Sequence, residues 1–223
     1  LKTIPITSHI RVIIFYLYIS ATSGCGDIEV KDDYAYVACY GDGLKVVDIS
    51  TPTAPSVVKT FYANLANRLD LQGDYVYVAN GIGAPDFYIV DISDPANAFV
   101  AGTSDVGDDC RSVEVVGDYA YVGEWSGGGG DLIIYDVSDP TSPTRVGIGA
   151  SPSLTSDDIM IDKYTGYVYM AKQSGGFEAW NVSNPAAPTL VYTFDPVYNV
   201  SWLIPNNNYL YLGTGEANNI VYV

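Results

Sequence analysis

Gly117-Asp-Tyr-Ala-Tyr-Val-Gly-Glu-Trp125, resumed after the glycine run by Leu132-Ile-Ile-Tyr-Asp-Val-Ser-Asp-Pro140, decides the fold. Gly117-Asp118 marks a turn, and Tyr119-Ala-Tyr-Val122 beyond it reads as a strand with period two. Upstream, Val113-Glu-Val115 alternates as a preceding strand. Downstream, Leu132-Ile-Ile-Tyr135 forms a third. Asp136-Val-Ser-Asp-Pro140 turns the chain into a fourth, Pro143 to Ile148. The first signature recurs as Asp33-Tyr-Ala-Tyr-Val37, Asp74-Tyr-Val-Tyr-Val78, Gly166-Tyr-Val-Tyr-Met170 and Asn208-Tyr-Leu-Tyr-Leu212. The second recurs as Val47-Asp-Ile-Ser50, Val90-Asp-Ile-Ser-Asp-Pro95 and Trp180-Asn-Val-Ser-Asn-Pro185. A repeat of about 40 to 50 residues made of short alternating runs indicates a radial or stacked all-β array. A four-stranded sheet cannot cover its own faces, and packing such sheets around an axis buries them. The expected fold is therefore an all-β propeller of about five four-stranded blades.

Composition fits. The chain has 223 residues, 48% of them apolar, and its 20 tyrosines suit pleated, half-buried surfaces. The formal net charge of −16 argues against nucleic acid and anionic membranes as partners. It leaves cationic partners and divalent ions open.

The recurrent Asp48, Asp91, Asp136 and Asn181 look like a functional series, but turn chemistry explains them. Each side-chain oxygen can accept from backbone N–H groups two residues on, and the proline fixes φ after the turn. A residue used alike in every blade belongs to the scaffold.

These repeats resemble the LVIVD family. The resemblance rests on Leu44-Lys-Val-Val-Asp48, Tyr88-Ile-Val-Asp91 and Leu132-Ile-Ile-Tyr-Asp136, with Gly117-Asp-Tyr-Ala-Tyr-Val122 before and Asp-x-Ser-Asp-Pro after. It covers residues 26–223, and departs in blade four at Glu178-Ala-Trp-Asn181 and in blade five, which keeps only Ile220-Val-Tyr-Val223. It implies a β-propeller of bacterial or archaeal secreted or cell-surface proteins, mostly without an assigned activity.

Residues 1–25 form a separate N-terminal segment. Val12-Ile-Ile-Phe-Tyr-Leu-Tyr-Ile19 has the length of a strand and is expected to complete the last blade, removing two open edges. The alternative is a targeting segment, with Lys2 and Arg11 basic, 12–19 apolar, and Thr22-Ser-Gly-Cys25 similar to a lipobox that would make Cys25 a lipidation site. A third reading pairs strand 12–19 with a neighbouring molecule, a self-association that grows into a filament. The run is too short for a transmembrane helix. Of the other cysteines, Cys39 reads as a small buried residue and Cys110 as a loop residue, and a disulfide among the three has little support from the repeats.

Catalytic material is sparse. His9 is the only histidine, which leaves almost nothing for histidine-based triads or zinc sites. Gly127 to Gly130 lacks the Lys-Ser/Thr and helix of a phosphate loop. Asp105/Asp108/Asp109 and Asp157/Asp158 offer calcium ligands without the alternating spacing of a dedicated loop, so no cofactor is expected. Asn181-Val-Ser183 and Asn199-Val-Ser201 match glycosylation acceptors, the first in the structural turn.

The binding surface is expected on the face where the fourth-to-first and second-to-third strand loops meet. Its candidates are Arg68, Asp108, Arg111, Glu124, Trp125, Asp158, Lys172 and Trp202, with Asn67 and Asp195 nearby. The expected function is a non-enzymatic extracellular or cell-surface scaffold that binds a protein or glycan. The alternatives are the filament subunit and a hydrolase or lyase using loop carboxylates.

Overall fold

Period-two runs separated by turn residues become strands wherever the sequence places them. The computed structural model describes residues 24–61, 66–81, 85–105, 109–125, 131–151, 158–162, 166–172, 176–194, 200–206, 209–214 and 221–222. Blade 1 comprises β1 (Cys25–Lys31), β2 (Tyr34–Cys39), β3 (Gly43–Asp48) and β4 (Ser56–Phe61). Blade 2 comprises β5 (Ala66–Gln72), β6 (Tyr75–Asn80), β7 (Phe87–Asp91) and β8 (Phe99–Ser104), with a single 3-10 turn at Pro95–Asn97. In blade 3 are β9 (Asp109–Val116), β10 (Tyr119–Trp125), β11 (Leu132–Asp136) and β12 (Thr144–Gly149). Blade 4 has β13 (Asp158–Asp162), β14 (Tyr167–Lys172), β15 (Gly176–Asn181) and β16 (Thr189–Phe194). The fifth sheet contains β17 (Val200–Asn206), β18 (Tyr209–Thr214) and β19 (Val221–Tyr222) among the described residues. Every sheet is antiparallel with strands in sequence order. The segment 12–19 lies outside the described residues, and so do the readings that give it a blade or a neighbour.

The Tyr-x-Tyr signature explains how the blades stack. Both faces of the second strand are buried, one carrying Tyr36, Tyr77 or Tyr121 and the other Ala35, Val76 or Ala120. The large-residue face of each blade packs on the small-residue face of the next. Tyr36, Leu44 and Val46 of blade 1 meet Val76, Val78 and Val90 of blade 2. Tyr77, Phe87 and Ile89 meet Val113, Ala120, Val122 and Ile133. Tyr121, Leu132 and Ile134 meet Val168, Met170 and Trp180. First strands lie against first strands, β1 on β5, β5 on β9, β9 on β13 and β13 on β17, and so form the innermost layer.

Turn chemistry joins the pieces as the sequence indicates. The side-chain oxygens of Asp48, Asp91, Asp136 and Asn181 accept from the backbone N–H of Ser50, Ser93, Ser138 and Ser183 at 2.8–3.0 Å. Hydrogen bonding from Ser50 and Ser138 holds the Asp48 and Asp136 carboxyls below the usual range. The next residue ties each such turn to the first-to-second strand turn, as in Val137 N–H to Asp118 C=O at 2.8 Å. That second turn runs left-handed at Gly73, Gly117 and Gly166, with φ of 60°, 61° and 71°, and at Asp32 with φ of 53°. Glycine takes this conformation freely, and aspartate is among the few other residues that tolerate it.

The cysteines are corrected. Cys25 and Cys39 face each other in the β1–β2 ladder and form a disulfide. Cys39 is buried but not free, and in this bonded state the Cys25 sulfur cannot carry the thioether of a lipid anchor. Cys110 is not a loop residue: it is the second residue of β9, fully buried and free. Burial pushes its thiol well above the ordinary value, helped by the negative charges of Asp86 and Glu124.

Candidate functional site

In these antiparallel sheets the first strand begins and the second strand ends at one end, and among the described candidates Arg68, Arg111, Glu124, Trp125 and Lys172 lie there. Arg111 is the extra residue of a bulge in β9, between Cys110 opposite Glu124 and Ser112 opposite Gly123. A bulge re-aims the side chain it carries. The Arg111 guanidinium lies 3.9 Å from the ring centroid of Trp125, which ends β10 and is 39% exposed. A flat cation on an indole face is a favourable pair, and together they make an amphipathic surface. Sequence reasoning placed both residues on this face, and the structure brings them into contact.

Other candidates have different roles. Arg68 donates to the Gly26 carbonyl oxygen at 2.7 Å, while the Asp27 carboxylate accepts from the Leu69 N–H at 3.0 Å. These bonds join the inner strands of blades 1 and 2. Asn67 is buried and donates from Nδ2 to the Cys110 carbonyl oxygen at 2.7 Å, joining blades 2 and 3. Asp158 opens β13 opposite Ala171, and Trp202 lies in β17 opposite Gly213. Asp108 and Asp195 lie outside the described residues.

Glu124 and Lys172 are corrections to the surface reading, because both are buried. They occupy one repeated slot, the sixth residue from the start of the second strand, held by Cys39, Asn80, Glu124 and Lys172 in turn. Lys172 Nζ lies 3.7 Å from Glu178 Oε2, and neither side chain reaches solvent. The other bonds to Glu178 come from Trp180 Nε1 at 3.1 Å and Ser151 Oγ at 2.7 Å. Burial pulls the Lys172 ammonium below its ordinary value, against the opposing pull of Glu178 and Asp131. Such a network ties blade 4 to the end of blade 3 through Ser151.

Sequence reasoning also missed the blade-to-blade clamps at the opposite end. Lys31 reaches the Gly73 carbonyl and Asp74, and Gln72 reaches Gly117. An alignment of the five repeats on their tyrosines would have shown Lys31 and Gln72 in one slot. On the inner strands, Glu29 is held above the usual carboxyl range by burial and by Asp70 and Asp27. Among the described residues no group of three or more His, Cys, Asp or Glu is arranged to hold a metal. The calcium readings include Asp108 and Asp157, which are not described. No described helix is long and apolar enough to cross a membrane.

The successive sheets and the inner layer of first strands define a repeat protein with a β-propeller-like fold. Solved structures of this kind include the computationally designed protein Ika8, with 10% identity over 86% of this chain and 56% of that one and a TM-score of 0.65. The nidogen/laminin complex matches with 12% identity over 89% of this chain and 74% of that one, TM-score 0.65. The RRP9 WD40 repeats match with 14% identity over 86% of this chain and 60% of that one, TM-score 0.64. At these identities the likeness is one of fold alone, and the chain spans little more than half of Ika8. No curated protein matches the sequence. The LVIVD repeat is recognised four times, at residues 24–62, 65–106, 107–149 and 157–196, and the chain belongs to the LVIVD-repeat family. The fifth sheet, from Val200 onward, lies beyond those matches.

Proposed function

We propose that the protein is a non-catalytic, extracellular or cell-surface scaffold. Its blades close around an axis and present the Arg111–Trp125 platform to a protein or glycan ligand. The observation that carries this reading is the stacked, part-exposed pair itself. Tryptophan and arginine are the residue types that dominate binding energy at interfaces, and indole faces also stack on sugar rings. Two features support the setting. The Cys25–Cys39 disulfide suits an oxidising compartment, and the strongly acidic surface favours solubility there. Ring closure is supported by the Ala35, Val37 and Val47 face of blade 1, which is buried although it is not the face that packs on blade 2.

The test is the double substitution Arg111→Ala/Trp125→Ala, read by glycan-array and surface-protein capture. Affinity should fall at least about a hundredfold with the thermal midpoint unchanged. Undiminished capture by the double variant would remove the platform from the function.

A further inference from the structure

The inner strands of the first three blades each carry one bulge residue near the start, Gly26, Asn67 and Arg111 in turn. In each of these blades that residue meets the seventh residue counted from the start of the second strand. In blade 1 a Cβ on Gly26 would fall on the Tyr40 hydroxyl, so the slot has no room for a side chain. The Gly26 carbonyl oxygen accepts from Arg68. In blade 2 the buried Asn67 lies over Gly81, where a Cβ would collide with its amide, and Nδ2 donates to the Cys110 carbonyl oxygen at 2.7 Å. Both slots are closed within the fold. Blade 3 departs from this pattern: Arg111 is half-buried, with its guanidinium 3.9 Å from the Trp125 ring centroid. Lys31, Lys45, Arg68 and Lys172 each reach a carboxylate or a backbone carbonyl. Among the described residues none accepts a hydrogen bond from Arg111 or pairs with its charge, although the chain holds 26 acidic and 10 basic residues.

We propose that the Arg111–Trp125 pair recognises the carboxylate of a uronic acid residue flanked by neutral sugars in an acidic glycan. The inference rests on the binding reading given above and names the ligand class for that same pair. A guanidinium presents parallel N–H groups that match the two oxygens of a carboxylate, and such charge-assisted pairs are among the stronger hydrogen bonds. The exposed part of Trp125 offers an apolar surface to the C–H groups of the sugar ring. The surroundings set the charge of the ligand. Asp109 stands opposite Trp125, and the whole chain carries −16. Repulsion grows with ligand charge, which favours a single carboxylate over a dianionic phosphate or a run of uronates.

The experiment is calorimetric titration of the full chain, at physiological ionic strength, with xylotriose bearing one glucuronate and separately with a rhamnose–galacturonate disaccharide. At least one of these acids should bind, and its methyl ester should bind at least about tenfold more weakly. Arg111→Lys keeps the charge but loses the fork, and should weaken the acid about tenfold. Arg145→Lys makes the same change on an exposed outer strand and should alter nothing. The proposal is overturned if wild-type protein binds neither acid, if acid and ester bind alike, or if Arg111→Lys binds the acid as wild type does. It is also overturned, in favour of a peptide terminus, if N-acetyl-diglycine with its free carboxylate binds as tightly as the sugar acids. Acid and ester bound alike by wild type, but by neither route in Arg111→Ala/Trp125→Ala, would strike the carboxylate assignment and leave the platform standing.

Discussion

Tyr36, Tyr77 and Tyr135 are each buried between blades, and burial pushes each phenol from 10.0 up to about 12. A phenol that ionises later in the folded chain than in the unfolded chain stabilises the fold below the unfolded value. That stability is lost as pH rises through the folded one. Lys172 acts in the opposite sense: its folded value is depressed, so its contribution to stability rises with pH up to the ordinary lysine value. It is one group against several, because burial raises Tyr88 and Tyr121 as well. The urea midpoint should therefore hold to about pH 10 and collapse toward pH 12, with tyrosinate absorbance appearing together with loss of β signal. Tyrosines that titrate freely while the sheets persist would show that the blade interfaces are not dry. The same scale shows what a sequence can and cannot reveal about a site. Asp48 and its counterparts were legible because a turn is local, with acceptor and donor two residues apart. Lys172 and Glu124 were not, because their residue types indicate surface. The charges that oppose the effect of Lys172's burial come from Glu178 on the neighbouring strand and Asp131 in the preceding blade.

The element that sets blade spacing is the outer strand. In blades 1 to 4 it carries a bulge at the same register, after Val46, Ile89, Ile134 and Ala179 of the third strand. Beside it, Gly102 and Gly147 leave room for the proline turn of the next blade. A methyl group at either would fall on the carbonyl oxygen of Pro140 or Pro185. Gly147→Ala should thus cost about 1–3 kcal/mol, read as a lower urea midpoint with an unchanged slope. An unchanged midpoint would mean that blades 3 and 4 can separate there freely. The order and antiparallel pairing of the four strands in blades 1 to 4 were legible, since Tyr-x-Tyr and Asp-x-Ser punctuate each repeat, although β9 begins earlier than its alternation indicates and takes in Cys110. The inter-blade contacts were not, because a glycine in an outer strand and a glutamine at the end of an inner one have no periodic signature. Their meaning depends on a blade some 40 residues away.

At the scale of the whole molecule, blades 1 to 4 each offer their tyrosine face to the next, and an array built this way has one unmatched face at each end unless it closes. Blade 1 supplies the diagnostic side: Ala35, Val37, Cys39, Val47 and Ile49 are all at most 5% exposed. The proposed closure brings Arg111, Trp125 and the inner strands around one axis. The LVIVD pattern made a ring the expected solution. What covers that first face was not legible, because a contact between one end of a repeat array and another part of the chain has no local signature. The decisive measurement is a pair of distances between spin labels attached through an unnatural amino acid, which leaves the cysteines intact. One pair joins positions 33 and 118, in blades 1 and 3, and the other joins positions 33 and 206, in blades 1 and 5. A closed ring makes the second distance the shorter. An open stack makes it roughly twice the first, and that result would contradict the account.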